Sequence, residues 1–201
     1  MTFHNEARTS RSRSEAEERL VTAAADLLGE IGPRSLSVRT IAERAGVNHG
    51  LVHHYFGGKD ALLKAAMVRL VEEHAHHAKQ LSAGSPIPAP LALGSDARYL
   101  RAVVRAVLDN EMDLANTELT EGVSVPRGAL EHVVAMRRMN EADVHTKATV
   151  AIGMALEMGW AALEPFLFSI TGVTPEEEEQ VRDIGRAFRM EFVAKGIENE
   201  Y

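Results

Sequence analysis

His49, Gly50, His53 and His54 stand close together in a chain that otherwise offers little reactive chemistry. An imidazole can bond a base edge or a phosphate, ligate a metal, or move a proton near neutral pH. His49 and His53 are four apart, so on a helix they share a face. That face, with the small Gly50 beside it, suits a helix laid in the major groove of duplex DNA. A metal held by the pair would block the same face, so DNA contact is the better reading, with His54 flanking it. A second cluster, Glu72-Glu73-His74-Ala75-His76-His77, raises the metal question again. Glu73 and His77 are four apart and could share a divalent ion. Such a site needs more ligands than spacing supplies, and the chain has no cysteine, so a solvated helix face is the simpler reading. The alternative is a metal-binding helical enzyme or sensor built on His74, His76 and His77. No Gly-x-Ser-x-Gly elbow, His-Glu-x-x-His pair or phosphate-binding loop occurs. No catalytic residue, metal or cofactor is therefore expected, and the chain does not read as an enzyme.

The elements that must position the first cluster lie in Leu36 to Leu62, LSVRTIAERAGVNHGLVHHYFGGKDAL. This stretch reads as a helix-turn-helix with a further helix behind it. Ile41, Ala45, Val47, Val52 and Tyr55 are spaced to face one small core from two short helices. Ala42 is small where the second helix must pass close above the first. Gly46 sits at the turn, where a positive φ is cheap only for Gly. Ser37 and Asn48 are placed to cap the two helices, each side-chain oxygen accepting from an orphan N–H.

Around this motif the spacing predicts helices throughout. The first spans Glu15 to Ile31, with Leu20, Ala24, Leu27, Leu28 and Ile31 inward, a Ser14/Glu17 capping box and a stop at Gly32-Pro33. The fourth follows Gly57-Gly58 and reaches Leu81, with Leu62, Leu63, Ala66, Leu70 and Val71 inward. Gly84 to Pro90 is a loop. A helix over Asp96 to Asp109 puts Tyr99, Val103, Ala106 and Val107 on one stripe. Residues 110–126 hold a short helix and a turn, and Arg127 to Met139 is helical. Ala142 to Ser169 is long and apolar, with Pro165 set to kink or end it. Thr174-Pro175-Glu176-Glu177 opens a last helix to Lys195, with Val181, Ile184, Phe188 and Phe192 inward. No strand pattern or repeat appears, so the fold class is all-α with about nine helices.

The charge is uneven. The net charge is −7, yet residues 1–60 hold eight Lys/Arg against eight Asp/Glu, and residues 61–201 carry the whole excess. Glu15, Glu17 and Glu18 suit a helix start, which leaves Arg8, Arg11, Arg13, Arg39, Arg44 and Lys59 as possible phosphate contacts on an acidic body. No secretory signal is visible, and the longest uncharged stretch, Gln80 to Ser95, is too rich in Gly, Ser and Pro to cross a membrane. A soluble, cytoplasmic protein is expected.

Residues 14–63 resemble the DNA-binding domain of the TetR family of transcriptional regulators. The resemblance rests on Leu36 to Val47, Tyr55-Phe56 and Gly58 to Leu63, where caps, turn and core agree in register. It implies that Ser37, Arg39 and Thr40 touch the phosphate backbone, that His49, Gly50 and His53 meet bases or phosphates, and that Tyr55 and Lys59 clamp phosphates. His53 stands where the family usually has Tyr, and Leu51 where Ser or Thr is frequent, so operator preference does not carry over. The resemblance also implies a homodimer joined through the last two helices, a small-molecule effector bound in the C-terminal part, and a repressor released from double-stranded DNA when that effector binds. The corresponding division is a flexible basic arm over 1–13, a DNA-binding domain over 14–58, and an effector-binding and dimerisation domain over 59–201.

Within that last region, Ala148, Ala151, Ala155, Gly159 and Ala162 form a stripe of small residues that permits close helix approach, either within the chain or between protomers. Ala155, Gly159 and Ala162, with Phe188 and Phe192, are the expected dimer contacts. Met112, Met136, Met154, Met158, Trp160 and Phe166 are candidates for an adaptable apolar pocket.

Overall fold

Leu20, Ala24, Leu27 and Leu28 recur at helical spacing and all are buried, which fixes the inner face of α1 (Phe3–Ile31). The computed structural model describes residues 3–198, with side chains from Arg13 onward except that of Ile197. Among the described residues it contains ten α-helices, one 3₁₀ turn and no strand. The all-α class is as expected. α1 begins well ahead of Glu15, so from Phe3 the predicted flexible arm is helix, and the Ser14/Glu17 pair lies mid-helix rather than at a cap. Met1 and Thr2, and the side chains of Arg8 and Arg11, lie outside the described residues. Ile31, predicted inward, is exposed at the helix end.

The helices form two compact units. The first comprises residues 1–72 with 101–121, the second residues 73–100 with 122–201. In the first, α1 packs with α2 (Val38–Ala45), α3 (Gly50–Phe56) and the start of α4 (Lys59–Leu81). Leu20, Leu28, Ile41, Val52, Leu62, Met67 and Leu70 are all but fully buried between them. At about 1.5–3 kcal/mol for each large side chain removed from water, this core holds α2 and α3 rigidly. The end of α5 (Ala97–Leu108) closes the same unit. Arg105 Nε donates to the Gly29 carbonyl at 3.0 Å, and Asp109 Oδ2 accepts from the Arg34 N–H at 3.1 Å. Gly32 is required here twice over: its φ is +79°, and a Cβ would sit 3.0 Å from Asp109 Oδ2. On α5 the buried stripe is Tyr99, Leu100, Ala102 and Ala106, while Val107 is exposed. Residues 110–126 form two single-turn helices, α6 (Met112–Ala115) and α7 (Thr117–Thr120), ahead of a turn.

In the second unit, α8 (Val125–Met136) starts at the Ser124 cap. α9 (Val144–Thr171) starts at Asp143, whose Oδ1 accepts from the Thr146 N–H at 2.7 Å. α9 runs through Pro165 without ending and packs along α10 (Glu178–Glu198). Glu177 Oε2 accepts from the Thr174 N–H at 2.9 Å, so one half of the predicted box forms just ahead of α10. The 3₁₀ turn Ala92–Ser95 lies against α9. There the Glu157 carboxylate is buried, accepting the Leu91 N–H at 3.0 Å and lying 3.0 Å from Arg189 Nε. Burial pushes the Glu157 carboxyl above its ordinary range, against the Leu91 bond and the Arg189 charge.

One expectation fails on this pair of helices. Ile184 and Phe188, predicted inward, are 62% and 60% exposed. α9 is also long and apolar enough, by length and composition, to cross a bilayer. Its half-buried ion pairs tell against that use. Glu157 pairs with Arg189, and Glu164 with Arg182 at 2.8 Å. The exposed Ile152, Leu163 and Ile170 make one outer face of the same helix.

Candidate nucleic-acid interface

Local chemistry sets the reading helix. Ser37 Oγ accepts from the Thr40 N–H at 3.0 Å and lies 2.7 Å from Thr40 Oγ1, which starts α2. Gly46 takes φ +65° and sends its N–H back to the Ala42 and Glu43 carbonyls. Val47 N–H reaches the Ala42 carbonyl at 3.0 Å. The turn is thereby closed on both sides, and its angle is fixed by backbone bonds. Asn48 Oδ1 then accepts from the Gly50 N–H at 2.8 Å, as expected of a cap, although regular helix begins at Gly50. A Cβ on residue 50 would sit 3.2 Å from that oxygen, so Gly50 lets the cap close. Ser37→Ala is expected to lower the unfolding free energy by about 1 kcal/mol in urea titrations, through loss of this cap alone.

His49, just before α3, and Gly50, His53 and His54 on it are exposed, while Val52 is fully buried beneath them. The helix thus presents imidazoles outward from a face anchored in the core. Tyr55 is half-buried at its end, and Lys59 opens α4 just beyond, with no ion pair among the described residues. Arg39, Arg44, Arg69 and Arg13 are engaged. Arg39 Nε bonds Glu43 at 2.7 Å along α2, with both side chains largely exposed. Arg44 forks onto Glu30 at 3.0 and 2.7 Å, tying α2 to α1. That fork holds the Glu30 carboxyl below its ordinary range. Arg69 forks onto Glu18, and Arg13 bonds Glu17 at 3.0 Å. Glu17 and Glu18 therefore act in ion pairs rather than at a helix start. Exposed pairs of this kind are worth about 0–1 kcal/mol, so Arg39 can turn to a phosphate at little cost. Spacing gives no sign of the contact between Arg13 and Tyr55, whose ring centroid lies 5.4 Å from the guanidinium.

The histidines of α4 do not converge. His74 Nδ1 lies 3.0 Å from Asp96 Oδ2, and its ring stacks on Tyr99 at 3.9 Å. His77 Nε2 meets Ser95 Oγ at 2.8 Å, and His76 meets Gln80 at 2.9 Å. Burial alone would raise the Asp96 carboxyl, but the His74 bond and charge hold it below its ordinary range. Each ring bonds a different neighbour, and no group of three potential ligands is assembled among the described residues. The metal alternative built on His74, His76 and His77 is not supported.

The pocket candidates are scattered. Met112 lies in the first unit and the other five in the second. Met136 and Phe166 are more than half exposed, while Met154, Met158 and Trp160 are half-buried along α9. Trp160 Nε1 donates to Glu164 Oε2 at 2.6 Å. Of the dimer candidates, Ala155, Ala162 and Phe188 are exposed, and Gly159 and Phe192 are half-buried. A Cβ on Gly159 would meet nothing within 4 Å.

Comparison with known proteins agrees with this arrangement. Residues 20–66 match the family described as "Bacterial regulatory proteins, tetR family". The chain is 31% identical over 170 residues to the HTH-type transcriptional repressor Rv3405c of Mycobacterium tuberculosis, covering 85% of each. It is 46% identical over 56 residues to the HTH-type transcriptional regulator BetI of Stenotrophomonas maltophilia, covering 28% of this chain and 29% of that one. Among solved structures, a transcriptional regulator from Rhodococcus sp. Rha1 superposes with a TM-score of 0.59 at 23% identity, over 87% of this chain and 96% of that one. SCO7222, a TetR from Streptomyces coelicolor, superposes at 0.53 and 21%, over 90% and 97%. These two show the fold. With the relative that it matches over most of both lengths, the chain belongs to the TetR family of helix-turn-helix transcriptional regulators.

Proposed function

We propose that this regulator is a cytoplasmic repressor that binds a near-palindromic operator as a homodimer and leaves it when a small, largely apolar effector binds. The observation that carries the reading is α3: exposed Gly50 and His53, with His49 just before them, on a helix whose other face, through Val52, is locked into a core. Residues 14–58 read the DNA and residues 59–201 hold the effector and the partner. His49, Gly50 and His53 meet base edges or phosphates. Ser37, Arg39, Thr40, Tyr55 and Lys59 hold the backbone. The match over 85% of the length of the M. tuberculosis relative, and the word repressor in that protein's name, support this choice. No catalytic role is proposed.

Two reading heads on half-sites about one helical turn apart, roughly 34–36 Å, tolerate little change in separation. An effector that favours a different separation therefore lowers operator affinity by population shift. We place the effector beside Met154, Met158 and Trp160, which remain partly open on α9. Met112, Met136 and Phe166 are left out of that site. Trp160 is the chain's single tryptophan. Binding of an amphipathic small molecule should therefore change its emission and raise the thermal midpoint together. A library hit that shifts the midpoint but leaves the emission unmoved places the site elsewhere.

The operator reading is tested by selecting duplexes from a random library with the wild-type protein and titrating the winner against salt. Log affinity should fall steeply with log salt. Lys59→Ala should weaken selected and random duplexes alike and flatten the slope by about 0.9 for each phosphate no longer neutralised. A change in base preference with an unaltered slope would contradict the phosphate role. Failure to enrich any duplex would contradict the function.

A further inference from the structure

We propose that Arg13 is a positioning residue for operator binding, acting through Tyr55 rather than by touching DNA itself. The inference rests on the DNA-binding reading above. Its basis is a chain of contacts running from α1 to the end of α3. Glu17 Oε1 holds Arg13 Nε at 3.0 Å, and the Arg13 guanidinium lies 5.4 Å from the centre of the Tyr55 ring. On the side toward the reading face, the His54 ring stands 5.0 Å from Tyr55, tilted by 56°. Tyr55 is half-buried, and its ring is held between the Arg13 guanidinium and the His54 ring.

The physical consequence is a defined ring orientation at the point where α3 ends. A guanidinium within about 6 Å of a ring centroid is attracted to its face. Glu17 adds a weak second hold, between side chains 59% and 38% exposed, so the ring contact does most of the positioning. Arg13 therefore restricts the swing of the Tyr55 side chain, and the phenol O–H is set before DNA arrives. Preorganisation of this kind raises affinity by removing an ordering cost at the moment of binding. The positive charge near the phenol favours a phosphate oxygen accepting from it, with no need for Arg13 to reach that oxygen. Arg13 is thus separated from Lys59, which we assign to direct phosphate contact, and from Arg44, which spans α1 and α2.

The test is a double-mutant cycle of Arg13→Met and Tyr55→Phe, measured on the duplex selected by the wild-type protein. Both changes are mild for the fold. Met keeps the apolar stem of an exposed side chain, and Phe keeps the gripped ring. Arg13→Met should weaken binding about two- to fivefold, the range of an exposed cation–ring contact. In the Tyr55→Phe background, where no hydroxyl remains to be aimed, the same substitution should have no further effect. The salt slope should be unchanged by Arg13→Met in either background. If the slope instead falls by about 0.9 and the weakening persists in the Tyr55→Phe background, Arg13 neutralises a phosphate directly and the proposal is wrong. An Arg13→Met protein with wild-type affinity is equally fatal to it. Wild-type protein that selects no duplex would overturn the DNA-binding reading itself, a different failure from a zero coupling on a bound operator.

Discussion

Phe188→Arg is expected to turn the proposed homodimer into a well-folded monomer and to abolish operator binding at concentrations where the wild-type protein saturates. The side chain is 60% exposed in the single chain, with Ile184 at 62% one turn before it. Leu163 and Phe166 stand 49% and 59% exposed along the outer face of α9. Large apolar groups in such number on two packed helices mark a surface that another protein covers. The small stripe lies on the same side: Ala155 and Ala162 are exposed, and Gly159 has open space where a Cβ would be. Among the described residues nothing needs a glycine there, which favours close approach by a second copy over intrachain packing. A two-fold interface feels each substitution twice, once from either protomer. Two side chains at about 2 kcal/mol each make roughly 4 kcal/mol, or on the order of a thousandfold in dimer dissociation. The exposed position keeps the test clean, since an arginine there meets water in the monomer. Sedimentation equilibrium at micromolar concentration reads the association, and circular dichroism reads the fold. A Phe188→Arg protein that still sediments as a dimer places the interface elsewhere.

What is legible in the residues follows the range of the interactions involved. The Ser37 cap, the Gly46 turn and the Asn48 cap each depend on bonds spanning a few residues, so residue type and spacing suffice to find them. Burial of Ile41, Val52 and Leu62 follows from periodicity, because a core needs one face and these helices have one. The apolar stripe of α10 is largely the exposed one, while its side toward α9 carries Arg182, Gly185 and Arg189, so apolar spacing alone points the helix the wrong way. That is why spacing turns Ile184 and Phe188 inward. It starts α1 too late for a related reason. Ser14 and Glu17 have the separation of a capping box, but Glu17 is instead taken by Arg13, one turn back on a helix already under way. The pairs that tie the site together join residues far apart in the chain: Arg44 with Glu30, Arg69 with Glu18, Arg13 with Tyr55. Each needs the packed fold before the partners meet. The pocket candidates suffer most, since methionine is equally at home in a core, a pocket or an interface.

Arg189→Met is expected to destabilise the second unit by about 3–5 kcal/mol at pH 7.5, because it strands a buried carboxylate. The Glu157 and Arg189 side chains are only 12% and 11% exposed and lie 3.0 Å apart. The Arg189 guanidinium holds Glu157 by charge and hydrogen bonding together, although Nε itself is out of hydrogen-bond alignment. Glu157 also accepts the Leu91 N–H, which fastens the 3₁₀ turn to α9. The pH dependence gives the prediction its sign. Burial raises the Glu157 carboxyl in the folded chain above its unfolded value, about 4.3. A raised acid contributes stability that is fully present below the unfolded value and is lost as pH rises through the folded one. Removing Arg189 takes away a charge that lowers the folded value, so it climbs further and the loss at neutral pH deepens. The penalty of Arg189→Met should therefore shrink when urea titrations are moved from pH 7.5 to pH 4.5, where the carboxyl takes up its proton. Adding Glu157→Gln should recover most of the loss at pH 7.5, since the amide can still accept from Leu91 and carries no charge. A penalty that is equal at both pH values, or one that Glu157→Gln leaves untouched, would mean that Arg189 acts by packing beneath Gly153, where its guanidinium lies 3.6 Å from the position of a Cβ, and not by pairing Glu157.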